Sequence, residues 1–377
     1  MLNNVTDYFL ELISIDSESR NERKVADRIK QDLELLGFNV EEDNSNVHTG
    51  GNAGNIYAFL EGDSNVEPIL FCAHIDTVKP GNKINPDVSD GIIRTDGKTV
   101  LGADDKSGVA QIIFGIKKIL NNEKCHPPIE VLFTVCEEIG LLGARYFDKS
   151  KIKSKFGFAL DSEEVGEFMV GAPSQNTIRI KIIGKEAHAG VEPEKGINAI
   201  KVAAEAITAI PIGRIDFETT SNIGLINGGT ATNIVPNLVE LKGETRSHNE
   251  VKLARVTEDI VSAFQKAAAR HRLASAEAKV EIDVHNEYKS FYLDESHKVV
   301  KIARRACELH NIEPRFMKGG GGSDANILNA HGIDMIIAGT GMHGYHTIDE
   351  NISIKDLETG SELVSEIISL YMKPDVW

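Results

Sequence analysis

A chain of 377 residues, with 41% hydrophobic and 26% charged positions, is long enough for more than one cored domain and has the composition of an ordinary globular protein. Its 57 Asp and Glu outnumber 41 Lys and Arg, and the formal net charge of -16 argues against nucleic acid as a partner, because phosphate-binding proteins concentrate basic residues. No run approaches the ~20 apolar residues of a membrane-crossing helix, and Met1 to Thr6 lacks a basic stretch followed by an apolar one; no membrane partner and a cytoplasmic location are expected.

In chain order, Val25, Ile29, Leu33 and Leu36 recur at helical spacing, and Gly37 follows as a C-terminal cap. Asn55 to Leu60 reads as a strand. Cys72 falls in the apolar run Ile69 to Ala73, which suits a strand covered on both faces, as do Ile129 to Cys136 and Phe156 to Leu160. Between them, Val109, Ile112, Ile113, Ile116, Ile119 and Leu120 form the core stripe of a helix. This alternation predicts an α/β layer around a mostly parallel sheet. The four cysteines, Cys72, Cys125, Cys136 and Cys307, lie far apart without a C-x-x-C pair, and buried free thiols are expected.

From about Asn176 the order changes. A strand at Ile178 to Ile183, a helix near Asn198 to Ile210, strands near Ser221 to Ile226 and Leu238 to Thr245, a helix at Val251 to Ala269 and a strand at Val280 to Val284 give β-α-β-β-α-β, a ferredoxin-like unit. A helix around Ser296 to Leu309 and a strand at Met335 to Ala338 resume the first pattern. Residues 1–175 and 287–377 are therefore expected to form one discontinuous domain, with 176–286 inserted.

The chemically loaded residues fall at the C-terminal ends of predicted strands or at a helix start, the edge at which open α/β sheets bind ligands. His74 and Asp76 close one strand and point the same way, so Asp76 can orient the His74 imidazole; a surface turn with an incidental ion pair is the plain alternative. Asp104 and Asp105 open the Val109 helix, where acidic residues are also ordinary caps. Glu137 and Glu138 end an apolar strand, and two adjacent carboxylates there need a cation, a shared proton or solvent. Asp161 ends the next strand and His346 follows the last. Together these supply the His and carboxylate mixture of a two-metal hydrolase.

These segments, His74-Ile75-Asp76-Thr77, Leu101 to Lys106, Glu137-Glu138, Asp161 and His346, resemble in order the motifs of the M20 metallopeptidases, closest to their peptidase T branch. The resemblance implies that His74 and Asp161 hold one divalent metal ion, Glu138 and His346 hold a second, and Asp104 bridges them. Glu137 is then the general base and Asp76 the residue that orients His74, while Asp105 is not implied to be a ligand. Zinc is the expected metal, with Co2+ or Mn2+ compatible with the same ligands. His188, Asn233 and Arg246 of the insert resemble substrate-binding positions, His188 often being reached from the partner subunit; unaided, each reads as a loop or strand-end residue. The insert is thereby expected to serve as a lid and a dimerisation surface, and the protein to form a homodimer acting on short peptides.

One departure stands out. Where the peptidase T branch has Arg-Gly-Gly-Thr-Asp, this chain has Gly320-Gly321-Gly322-Ser323-Asp324, so the Arg that helps hold a tripeptide carboxylate is missing. An aminopeptidase or tripeptidase-like activity is the expectation. The rival readings are an amidohydrolase that deacylates N-acyl amino acids and a catalytically silent metal- or peptide-binding module, against which Glu137 argues.

Overall fold

The computed structural model describes residues 4–122, 125–373 and 375; Met1 to Asn3 of the N-terminal segment lie outside them. Among the described residues no helix is long and apolar enough to cross a membrane. The chain divides into two compact units, Met1–Gly171 with Tyr292–Trp377, and Ala172–Phe291.

The first unit is built on strands β1 (Asn39–Glu42), β2 (Ile56–Leu60), β3 (Ile69–His74), β4 (Ile129–Thr134), β5 (Phe156–Ser162) and β6 (Glu167–Ala172). Helices α1 (Val5–Ile13), α2 (Arg23–Leu35) and α3 (Ala103–Asn122) come from the same stretch of chain. As the periodicity predicts, α2 buries Val25, Ala26, Ile29 and Leu33, and Gly37 follows in the left-handed region (φ 91).

The second unit contains β7 (Ser174–Ile183), α4 (Ala199–Thr208), β8 (Thr219–Gly228), β9 (Leu238–Ser247), α5 (Glu250–Arg270) and β10 (Lys279–Tyr288). All its long strand pairs are antiparallel, in the order β8-β9-β7-β10, with a short strand Gly213–Asp216 added beyond β8. Burial alternates residue by residue along β9, the mark of a sheet with one covered face. Ile178, Ile180, Ile182, Val239 and Leu241 pack with Val202, Ala203, Val256, Ile260 and Phe264 of the two helices. Ser174 Oγ donates to the Tyr288 carbonyl (2.8 Å), tying β7 to the end of β10.

The chain then returns to the first unit with α6 (Lys298–Leu309), α7 (Asp324–Asn329), β11 (Asp334–Gly339) and α8 (Ile354–Tyr371). The main sheet runs β1-β2-β4-β3-β5-β11-β6, with β4, β3, β5 and β11 mutually parallel. Every residue of β3 and β4 is buried, which is why their sequences are mostly apolar on both faces rather than alternating, with Glu130, Thr134 and His74 as buried polar exceptions. Burying Phe71, Phe133 and Phe158 on this sheet contributes roughly 1.5–3 kcal/mol each by removal of apolar area. Gly157 lets β5 approach β3, since a Cβ there would stand 2.0 Å from the Leu70 carbonyl oxygen.

Candidate metal centre

His74, Asp104, Glu137, Glu138 and Asp161 are delivered by the C-terminal ends of β3, β4 and β5 and the start of α3, as parallel strands require. His346 comes from a loop clamped by a small sheet, in which Met342 pairs with Ile352 and His343 with Asn351. His346 itself takes a left-handed backbone (φ 61), which turns its ring back toward the strand ends.

The side chains converge. His74 Nε2 lies 3.0 Å from Asp104 Oδ1 and 3.8 Å from Asp161 Oδ1. On the other side, His346 Nε2 lies 3.1 Å from Asp104 Oδ2 and 2.9 Å from Glu138 Oε2. Among the described residues, two sets of atoms are close enough to share a cation, one from His74, Asp104 and Glu138, the other from His74, Asp105 and Asp161.

Asp76 is placed differently from a simple His-orienting carboxylate. His74 Nδ1 lies 3.0 Å from the Asp76 backbone oxygen and 3.5 Å from its carboxylate. The carboxylate instead accepts the backbone N–H groups of Glu137 (2.9 Å) and Glu138 (3.3 Å), and the Ser19 hydroxyl (2.7 Å). It therefore fixes the turn that carries both glutamates as well as the histidine.

Asp105, in spite of its nearness, is occupied with backbone. Its oxygens accept the N–H of His74 (3.2 Å) and of Gly108 (3.2 Å). Asp104 and Asp105 depart from helical geometry, joined by a cis peptide, so the regular part of α3 starts after them. Gly108 permits this start to press on β5, since a Cβ would meet the Leu160 carbonyl at 2.4 Å.

Sequence reasoning missed Glu350. Its fully buried carboxylate accepts the N–H groups of Leu101 (2.6 Å), Gly102 (2.8 Å) and Asp104 (2.9 Å), holding the segment that ends in Asp104. Burial pushes its carboxyl up to about 7 against the pull of those amides. Asp324 was also missed as a site neighbour; it is buried, accepts the Thr134 hydroxyl, and is pushed up to about 6 by burial. The polar character of both residues was visible, but nothing in the local pattern says which distant amide or hydroxyl they meet.

Without cations the cluster is electrostatically unbalanced. Burial, and then neighbouring carboxylates, push Glu137 and Asp161 well above the ordinary carboxylate range. Burial would lower His74, but Asp104 and Asp76 outweigh it and raise the imidazole well above its usual value. Asp104 and Glu138 push His346 up to about 10.

In the second unit, His188 and Asn233 are exposed and adjacent, the Ala189 N–H donating to the Asn233 carbonyl at 2.9 Å. Arg246 lies near the far end of β9 with its guanidinium held by Glu244 through Nε (2.9 Å) and Nη2 (3.2 Å). From Leu238 to Arg246 an extended strand spans roughly 26 Å, so Arg246 lies toward the opposite end of β9 from the loop that carries Asn233. Gly320, between β6's neighbour Arg315–Lys318 and α7, faces open space: a Cβ there would meet nothing within 4 Å.

A parallel sheet that gathers imidazoles and carboxylates at its carboxyl edge has the make-up of a metal-dependent hydrolase. The chain belongs to peptidase family M20/M25/M40, whose profile matches residues 70–370. It is 42% identical to the uncharacterized protein YqjE of Bacillus subtilis (strain 168) over 96% of each chain. Among solved structures it resembles aminopeptidase PepT from Bacillus cereus ATCC 10987, with 40% identity, a TM-score of 0.90 and 98% of each chain covered. A tripeptidase from Staphylococcus aureus is similar as well, with 36% identity, a TM-score of 0.93 and 97% of each chain covered. The protein is peptidase T-like, and its substrates are peptides.

Proposed function

We propose that this protein is a two-metal aminopeptidase of tripeptidase type, releasing N-terminal residues from short peptides. The observation that carries the reading is the position of Asp104, whose two carboxylate oxygens each face a different imidazole, 3.0 Å from His74 and 3.1 Å from His346. This arrangement supports Asp104 as a bridging ligand. His74 and Asp161 would complete one site, and Glu138 and His346 the other. The residues fit such a pair of ions: Glu138 Oε1 is buried without a hydrogen-bond partner among the described residues, and the clustered carboxylates lack enough positive charge of their own.

Zinc suits the ligand set, and two divalent ions would acidify a water molecule and polarise the peptide carbonyl. Glu137 would take the proton of the attacking water on its carboxylate and return it to the leaving amine. Its burial raises its proton affinity, the direction such a shuttle needs. Asp76 keeps Glu137 in place through the backbone bond described above. The named activities of the B. cereus and S. aureus structures support a free α-amine and a short peptide as substrate; deacylation of N-acyl amino acids is the less favoured alternative.

Assembly belongs to this reading. It includes a homodimer formed through the insert, which would serve as lid and contact surface, with His188, Asn233 and Arg246 as substrate-binding residues. Three of the four cysteines are buried free thiols, in keeping with a reducing, cytosolic compartment.

The test compares Glu137→Gln and Glu138→Gln. The first is expected to retain both metals and lose at least about a hundredfold in kcat, the second to lose metal. A Glu137→Gln protein with near wild-type kcat would refute the base assignment. A panel of tripeptides, dipeptides and N-acetyl amino acids separates peptidase from deacylase.

A further inference from the structure

Glu22 sits at the start of α2, yet its side chain makes no capping bond to that helix. It is fully buried and turns instead toward the end of β4. There its Oε1 accepts the N–H of Arg20 (2.8 Å), the N–H of Cys136 (3.2 Å) and the Cys136 thiol (3.2 Å). The other oxygen, Oε2, meets no donor among the described residues.

The two residues whose amides share Oε1 have something in common. Both Arg20 (φ 78) and Cys136 (φ 54) are left-handed, a conformation that residues with a Cβ adopt only when the surroundings hold them there. Cys136 is the last residue before Glu137. Its φ sets the direction in which β4 hands the chain to the two glutamates, after which Leu142 N–H returns to the Cys136 carbonyl (3.1 Å). Three consecutive amides of this turn are thus held by carboxylates from elsewhere in the chain: Cys136 by Glu22, Glu137 and Glu138 by Asp76.

We infer that Glu22 is a positioning residue for hydrolysis: by stabilising left-handed Cys136 it aims the carboxylates of Glu137 and Glu138 at the metal centre. The inference rests on the roles proposed for those two glutamates. An anchor that served only the Arg20 loop would alter stability and leave turnover and metal affinity alone.

The experiment uses full-length protein. For Glu22→Ala, kcat on a free tripeptide is expected to fall about tenfold to a hundredfold with KM within about twofold, because a small misplacement of a catalytic group is costly. Zinc affinity, measured by chelator competition, is expected to weaken about tenfold, and amide exchange over residues 136–138 of the metal-free protein to accelerate. Glu22→Gln keeps an oxygen acceptor and is expected to stay within about threefold of wild type in kcat. Glu22→Ala with Cys136→Gly is expected to regain about fivefold or more of the lost kcat, since glycine takes the left-handed region freely. Should the alanine variant not fold, Glu22→Asp withdraws the oxygen from Cys136 and is expected to show the same kinetic loss.

The inference falls if the alanine or aspartate variant keeps wild-type kcat and zinc affinity, if glutamine is as damaging as alanine, or if the double variant recovers nothing. Glu137→Gln is assayed alongside. If that variant turns over, the base assignment fails independently; if it is inactive while Glu22→Ala is unaffected, only the role of Glu22 falls.

Discussion

The Glu350 carboxylate accepts the backbone N–H of Asp104 at 2.9 Å, although the two residues are 246 positions apart. Leu101 and Gly102 donate to the same side chain, so one buried carboxylate sets the path of the chain into Asp104, the proposed bridging ligand. Removing it in Glu350→Ala leaves three amides to find other partners, at about 1–3 kcal/mol for each one left buried and unsatisfied. The expected outcome is a lower melting temperature and at least about tenfold weaker zinc binding. Glu350→Gln, with one acceptor oxygen left, is expected to fall between. Differential scanning fluorimetry and zinc competition check both, and an alanine variant with unchanged zinc affinity would remove Glu350 from the site.

Metal loading should release protons. In the metal-free protein both imidazoles are held protonated, His346 up to about 10 and His74 well above its usual value. Ligation requires the neutral ring, so each incoming ion competes with a proton. Apparent affinity is therefore expected to rise as pH increases from 6 toward about 9, and calorimetry in buffers of different ionisation enthalpy is expected to report net proton release at pH 7. An affinity independent of pH across that window would mean the imidazoles do not bind the metal.

Lys106 is fully buried, its Nζ donating to the Ile15 carbonyl at 2.8 Å. Burial lowers its pKa to about 7, against an ordinary value of 10.5. Between those values the unfolded chain binds more protons than the folded one, so this residue makes stability rise with pH from about 7 to 10.5 and imposes its full cost below 7. Lys106→Met is expected to flatten that slope. Urea denaturation of metal-free wild type and variant at pH 7 and pH 9.5 compares the two; parallel changes in both proteins would show that Lys106 carries none of the dependence.

At Gly320 the open surroundings make room for an arginine. If a missing arginine has weakened recognition of the substrate carboxylate, wild type should discriminate less between a tripeptide and its C-terminal amide than Gly320→Arg does. A charge-assisted hydrogen bond of roughly 1.5–3 kcal/mol corresponds to about a tenfold to more than a hundredfold ratio in kcat/KM. Wild type rejecting the amide by several hundredfold would leave the task to Arg246.

The sequence made the scaffold legible where burial leaves a periodic trace. The mostly apolar runs of β3 and β4, the α2 and α3 stripes and the alternating β9 follow directly from which faces are covered. The cluster was legible as well, in that His74, Asp104, Glu137, Glu138, Asp161 and His346 all stand at strand ends or loops that parallel topology brings to one edge. What sequence could not show is the work of carboxylates that bind backbone. Glu22, Asp105 and Glu350 hold amides far away in the chain, and a hydrogen bond to a distant N–H leaves no mark on spacing or hydropathy. Nor does a residue type announce a left-handed φ when it is Cys136 or His346 rather than glycine.

The discontinuity of the first unit has a consequence for the order in which the protein can be made. Strand β11, which pairs with β5 and β6, follows the whole of Ala172–Phe291 in the chain, and so do His346 and Glu350. During synthesis the second unit is complete, with both helices and all its strands, while the first still lacks β11, α8 and a histidine of its proposed centre. The insert can thus fold on the ribosome ahead of the unit that surrounds it in sequence. Val170 and Leu293, which flank it, are joined by a hydrogen bond of 2.8 Å from the Leu293 N–H, so the returning chain resumes beside the point at which it left. With His346 as a ligand, as proposed, acquisition of metal would be a late event, and nascent chains stalled within the insert would carry no complete centre.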